Sequence, residues 1–129
     1  MQKKPMLTRI LVVDADRSSS QRLSAVLRNA GFADVAAVTS GRRAMEEFRK
    51  TAPGLVIIDP CMNTDSGYEV VEQLISAANG SGAPRLLFHT ADETEGPRVQ
   101  ARLLGARGVL PKPCGPEALL AEVRAALAS

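Results

Sequence analysis

A chain of 129 residues, 45% hydrophobic but only 3% aromatic, has the size and apolar content of one domain with a core of Ala, Val, Leu and Ile. Its formal net charge of +2 is scattered along the chain, which excludes a strongly basic nucleic-acid binder. No stretch approaches the ~20 apolar residues of a membrane span, and residues 1–8 lack the apolar run of a signal peptide. The expectation is a cytoplasmic protein that contacts neither nucleic acid nor membrane directly.

Thr8–Asp14 reads as the first strand, a short apolar run that ends on Asp14. Leu23, Val26, Leu27 and Ala30 then recur at the spacing of one buried helix face. Gly31 stands where a helix C-terminus favours a left-handed residue. Asp34–Val38 is a weaker second strand. Ala44, Met45 and Phe48 mark a second helix ending near Pro53-Gly54, and Arg42-Arg43 on it reads as a solvated face. Leu55–Asp59 is the third strand, ending on Asp59. Val70, Val71, Leu74 and Ile75 mark the third helix, which begins after Ser66-Gly67. Asn79-Gly80-Ser81-Gly82 reads as a surface connector, because a phosphate cradle would follow a strand and this one follows a helix.

Arg85–Thr90 is the fourth strand, ending on Thr90. Val99, Leu103 and Leu104 mark a fourth helix after Pro97, and Arg107–Pro111 is a short fifth strand that runs into Lys112. Leu119, Leu120, Val123 and Leu127 form the last helix stripe, with Pro116 well placed in its first turn. Five strand-helix units in succession predict an α/β domain with a parallel sheet covered by helices on both faces. The chain is expected to be this one domain, with no output domain attached.

In a parallel sheet the C-terminal strand ends share one edge, where ligands bind. Asp14, Asp59, Thr90 and Lys112 are therefore expected to converge. Two neighbouring carboxylates repel unless a cation intervenes. Mg²⁺ suits that position, since it binds through one or two carboxylates while keeping waters. A carboxylate can also act as a nucleophile and form an acyl phosphate. Lys112 and the Thr90 hydroxyl would then contact the phosphoryl oxygens. His89 alternates to the opposite face from Thr90 and reads as a packed histidine. Cys61 and Cys114 lack metal-ligand spacing and read as small packing residues in a reducing compartment.

These residues resemble those of a response-regulator receiver domain, the CheY-like family, over about residues 8 to 128. The matching motifs are LVIID ending on Asp59, LLFHTA around Thr90, and GARGVLPKP leading into Lys112-Pro113, with Gly67 and Gly105-Ala106 also in place. The resemblance implies a doubly wound, five-stranded parallel sheet in the flavodoxin-like order 2-1-3-4-5. It implies Asp59 as phospho-acceptor, and Thr90 and Lys112 as phosphoryl contacts. It implies Mg²⁺ held by Asp14, Asp59 and the backbone carbonyl of Cys61, and a cis Lys112-Pro113 bond. Asp92 would tune dephosphorylation by orienting water.

The departures from the family pattern matter as much. The second acid of the usual pair corresponds to Ala15, which should weaken the Mg²⁺ site. Asp16 reads first as a helix N-cap and becomes a metal ligand only if the loop slips by about one residue. The stretch from Pro60 to Ser66 is unusual for the loop after the acceptor, and Val109 stands where the family often has an aromatic switch residue.

The leading functional expectation is a single-domain response regulator of a two-component system. A histidine kinase or phosphotransfer protein would phosphorylate Asp59. A downstream protein would then read a surface at about Glu95 to Ala128. It is not expected to be a turnover enzyme. One alternative is a degenerate receiver that binds partners without phosphorylation. A remote one is a haloacid-dehalogenase-type phosphatase, whose Asp-x-Asp motif Asp14-Ala15-Asp16 resembles; only Glu117 and Glu122 follow Lys112 to supply its further acids.

Overall fold

The computed structural model describes residues 8–62, 67–78 and 84–128. The glycine-rich connector at 79–82, residues 63–66 of the loop after Asp59, and residues 1–7 lie outside the described residues. Strands and helices alternate as β1 (Ile10–Val13), α1 (Arg17–Asn29), β2 (Val35–Val38), α2 (Gly41–Thr51), β3 (Leu55–Ile58), α3 (Gly67–Ala78), β4 (Arg85–Thr90), α4 (Gly96–Leu104), β5 (Gly108–Pro111) and α5 (Pro116–Ala128).

The five strands form one parallel sheet in the order β2-β1-β3-β4-β5. The central strands are buried on both faces, so β1 and β3 are apolar at every position. Side-chain alternation splits them between two cores. Leu11, Val13, Val56 and Ile58 pack with α2, α3 and α4; Ile10, Val12, Leu55 and Ile57 pack with α1 and α5. Fully burying one such aliphatic side chain is worth about 1.5–3 kcal/mol.

Four strands are shorter than predicted: β1 at both ends, β3 at its C-terminal end, and β2 and β5 by one residue at the start. β1 stops at Val13 and β3 at Ile58, so Asp14 and Asp59 stand just past their strands. Each still makes one sheet-like bond: Asp14 N donates to Val38 O at 3.1 Å, and Asp59 N to Val13 O at 2.9 Å. Their side chains are thereby fixed at the sheet edge. β5 starts at Gly108, one residue later than expected.

The helix ends follow local chemistry. Asp16 caps α1 by accepting from Ser19 N at 3.3 Å, and Gly31 leaves it with φ 107°. Ser40 caps α2 by accepting from Arg43 N. That helix ends on Ala52 in the left-handed region (φ 46°), one residue before the predicted Pro53-Gly54 stop. The α4 stripe departs from expectation. Val99 is 42% and Leu103 74% exposed, while Pro97 and Ala101 are the residues buried against the sheet. The helix approaches on Pro97 and Ala101, with Leu104 packed against the core as predicted, and leaves Val99 and Leu103 in solvent. No helix among the described residues is long and apolar enough to cross a membrane.

Candidate functional site

Four strand ends bring their polar residues to one place. Lys112 follows β5, and its backbone N–H donates to Thr90 O at 2.9 Å, which ties the two strand ends together. The Lys112-Pro113 peptide is cis, as the resemblance implied. Lys112 Nζ lies 2.8 Å from Asp14 Oδ2 and 2.6 Å from Asp59 Oδ2. The side chains are only 3% (Asp14), 12% (Asp59) and 16% (Lys112) exposed, so this is a nearly buried triad. The remaining carboxylate oxygens are also engaged: Asp14 Oδ1 accepts from Asp16 N, and Asp59 Oδ1 from Cys61 N at 2.8 Å.

Burial by itself would lower the Lys112 pKa, but hydrogen bonds and charge from Asp14 and Asp59 together outweigh it and raise the value. His89 shows the reverse balance. It is buried on β4 opposite Thr90, with Nε2 3.9 Å from Cys114 Sγ. Burial and then the positive charge of Lys112 lower its pKa, against smaller upward pulls from Asp14 and Asp59. Burial also raises the Cys114 thiol.

Thr90 is buried, and its hydroxyl is already committed. It donates to Cys61 Sγ at 3.5 Å and accepts from Asp92 N at 3.1 Å. Cys61 is exposed, which corrects the expectation of a packed thiol: the backbone turn after Asp59 sends its side chain across the pocket mouth instead of into the core. Asp92 is exposed, and its Oδ1 accepts from both the N–H and the hydroxyl of Thr94, which lowers its pKa.

Asp14, Asp16, Asp59, Cys61, Thr90, Asp92 and Lys112, all singled out from the sequence, line one open pocket of 330 Å³ together with Ala15. Sequence reasoning missed Tyr68. Its ring packs edge-on to Phe88 with centroids 5.8 Å apart, and its hydroxyl pKa is raised by burial and by negative charge from Cys61, Asp92 and Asp59. Its being the lone tyrosine, one residue after Gly67, was the available signal.

The donor chemistry fits a hard divalent cation. Two carboxylates face a single ammonium, and the carbonyl of Cys61 follows on the same turn. Ala15 contributes no side-chain oxygen where a second acid would stand, and Asp16, which also lines the pocket, accepts from Ser19 N through Oδ1 as the α1 cap.

The profile of the response regulator receiver domain family matches residues 10–124. The response regulator MprA of Mycolicibacterium vanbaalenii is 38% identical over 122 residues, covering 95% of this chain and 51% of that protein. The DNA-binding response regulator MtrA of Mycobacterium tuberculosis is 35% identical over the same length. This chain spans about half the length of these relatives. Protein PilH of Pseudomonas aeruginosa is 31% identical and is covered over 99% of its length. Among solved structures, the chemotaxis response regulator CheY4 of Vibrio cholerae superposes with a TM-score of 0.82 at 27% identity, over 93% of this chain and 98% of that one.

Proposed function

The chain belongs to the response-regulator receiver family, and on that premise we propose that it signals by accepting a phosphoryl group on Asp59. The observation that carries this reading is the bridging Lys112 ammonium, which holds the Asp59 carboxylate at the mouth of the shared pocket. Asp14 is the poorer candidate, being 2% exposed.

A histidine kinase or phosphotransfer protein is the proposed donor. One Asp59 carboxylate oxygen attacks phosphorus as the donor's P–N bond breaks, and the electron pair leaves with the histidine imidazole. Lys112 stays beside the transferred group and neutralises charge on its oxygens. The Thr90 hydroxyl rotates from Cys61 Sγ to donate to another. These positioned charges supply most of what phosphoryl transfer requires.

Receiver domains generally bind Mg²⁺ at the phosphorylation site. Here Asp14, Asp59 and the Cys61 carbonyl would hold it, and it would supply charge neutralisation to the incoming phosphoryl group. With Ala15 in place of an acid, binding is proposed to be weak. Output would pass to a protein partner through α4, β5 and α5, where Val99 and Leu103 are exposed.

Receiver domains are generally not turnover enzymes, and the phosphatase alternative gains nothing from an Asp16 whose carboxylate caps a helix. A second reading, a receiver that binds partners without phosphate, is favoured by Ala15 itself. An amide NMR titration with Mg²⁺ followed by beryllofluoride separates the two. Shifts centred on Asp14, Asp59, Thr90 and Lys112 support phospho-acceptance. No shift there in either the native chain or Ala15→Asp supports the second reading.

A further inference from the structure

A second pocket, of 290 Å³, lies between α1 and the turn that leads from β5 into α5. Leu23 and Val26 of α1 and Leu119 of α5 give it apolar walls, and His89 of β4 and Cys114 line it with them. His89 is only 7% exposed, yet its ring makes a single hydrogen-bonding contact among the described residues: Nε2 stands 3.9 Å from Cys114 Sγ. That distance is long for a hydrogen bond, and a thiol is a weak partner. Phosphoryl transfer to Asp59 uses neither residue. A buried imidazole with so weak a partner is a ligand in waiting rather than a satisfied core residue.

The separation suits a metal ion held by both atoms. Thiolate sulfur and imidazole nitrogen sit about 2.3 and 2.0 Å from a filled-shell ion such as zinc. At those lengths the two donors stand roughly 3.5 Å apart in a tetrahedral site, roughly 3.7 Å in a trigonal one and roughly 4.3 Å in a linear one. The observed 3.9 Å falls between trigonal and linear, the range of low coordination numbers. Among the described residues no third His, Cys, Asp or Glu joins the pair to complete a closed four-ligand site of the zinc kind.

We propose that His89 and Cys114 bind one soft monovalent cation of the Cu⁺ class. Thiolate sulfur selects soft ions, and imidazole suits copper. Charge points the same way. A monovalent ion and the Cys114 thiolate sum to zero, so the pocket gains no net charge beside the Lys112 ammonium that also lines it. A divalent ion would leave a buried positive charge there, which is costly without a partner. Burial keeps the Cys114 thiol protonated. Binding therefore breaks the S–H bond, releases the proton to water and forms an S–metal bond with the same electron pair, with no change of oxidation state. The lowered pKa of His89 keeps its ring neutral, so Nε2 can offer a lone pair with the ring proton on Nδ1. The site does not depend on phospho-acceptance by Asp59.

The test is an anaerobic Cu⁺ titration of the full chain against a coloured competing chelator, run also on Cys61→Ala to remove the exposed thiol. One tight equivalent should remain in Cys61→Ala. Adding Cys114→Ser should weaken it roughly hundredfold, and adding His89→Gln instead roughly tenfold. Zn²⁺ in place of Cu⁺ should bind at least roughly a hundredfold more weakly. Circular dichroism checks the fold of each variant. A second readout needs no substitution at the site: His89 is the lone histidine of the chain, so its imidazole nitrogen signals are unambiguous. In the Cys61→Ala chain its Nε2 signal should move on Cu⁺ addition and saturate at one equivalent. A ring signal that stays in place, equal affinity after loss of Cys114, or Zn²⁺ binding as tight as Cu⁺ would overturn the proposal.

Discussion

The hydroxyl of Thr90 donates to the sulfur of Cys61 at 3.5 Å, across the mouth of the pocket that holds Asp59. A thiol sulfur is a weak acceptor, yet this contact must break before Thr90 can reach a phosphoryl oxygen. Its loss costs about 0.5–1 kcal/mol. Cys61→Ala should therefore speed phosphorylation by a small acyl-phosphate donor about two- to fivefold. Thr90→Ala, which removes the donor itself, should slow it. Quenched intact-mass time courses measure both, and a Cys61→Ala rate equal to the native one contradicts the competition.

Lys112 is the sole basic side chain within ion-pair distance of Asp14 and Asp59 among the described residues. Lys112→Met leaves two nearly buried carboxylates facing each other. Breaking such a buried pair by removing one partner costs about 3 kcal/mol. Urea denaturation should show this loss, and Mg²⁺ should recover part of it by binding only the folded state. An unchanged midpoint without Mg²⁺ would show that the triad contributes no stability.

Of the five groups with shifted pKa values among the described residues, Lys112 and His89 act at opposite ends of the pH range, with Tyr68 and Cys114 adding to the alkaline side and Asp92 to the acid side. The Lys112 pKa is raised in the fold, so its contribution is complete below its ordinary value of 10.5 and is lost as pH climbs through the higher folded value. His89 is lowered by burial and by Lys112, so the fold favours its neutral form. That contribution is complete above 6.5 and is lost as pH falls through the lower folded value. Melting temperature across pH should fall at both ends. Lys112→Met should flatten the alkaline limb and His89→Gln the acid limb. An acid limb identical in His89→Gln would assign it to other groups.

Gly67 packs directly against the backbone of Pro60, the residue after Asp59. A Cβ there would stand 2.3 Å from Pro60 Cα and 2.6 Å from its carbonyl carbon, too close to backbone for any side chain to yield. Gly67 N also donates to Pro60 O at 3.2 Å. Gly67→Ala should cost about 1–3 kcal/mol through overpacking. It should also lower phosphorylation, because Pro60 adjoins the acceptor. Gly115→Ala, with nothing within 4 Å of its Cβ, is the near-neutral control. Equal urea midpoints for the two variants would contradict the steric account.

The fold was legible because the central strands are buried on both faces, which forces unbroken runs such as Ile10–Val13 and Leu55–Ile58. The same runs placed Asp14, Asp59, Thr90 and Lys112 at strand ends, so their convergence followed from topology. Features set by tertiary packing were not legible. Ser20 and Ser24 sit on the buried face of α1, where close packing admits a small polar side chain. Val99 and Leu103 looked like core residues, yet Pro97 and Ala101 make the contact with the sheet. The side-chain direction of Cys61 depends on the turn after Asp59, which leaves no periodic trace in the sequence.

The most direct test of phospho-acceptance is the intact mass of the chain after incubation with Mg²⁺ and a small acyl-phosphate donor. The native chain should gain one phosphoryl group, slowly and with a high Mg²⁺ requirement. Asp59→Asn should gain none, and Ala15→Asp should reach the same gain at lower Mg²⁺. A gain that persists in Asp59→Asn, or no gain in either the native chain or Ala15→Asp, would contradict Asp59 as the acceptor.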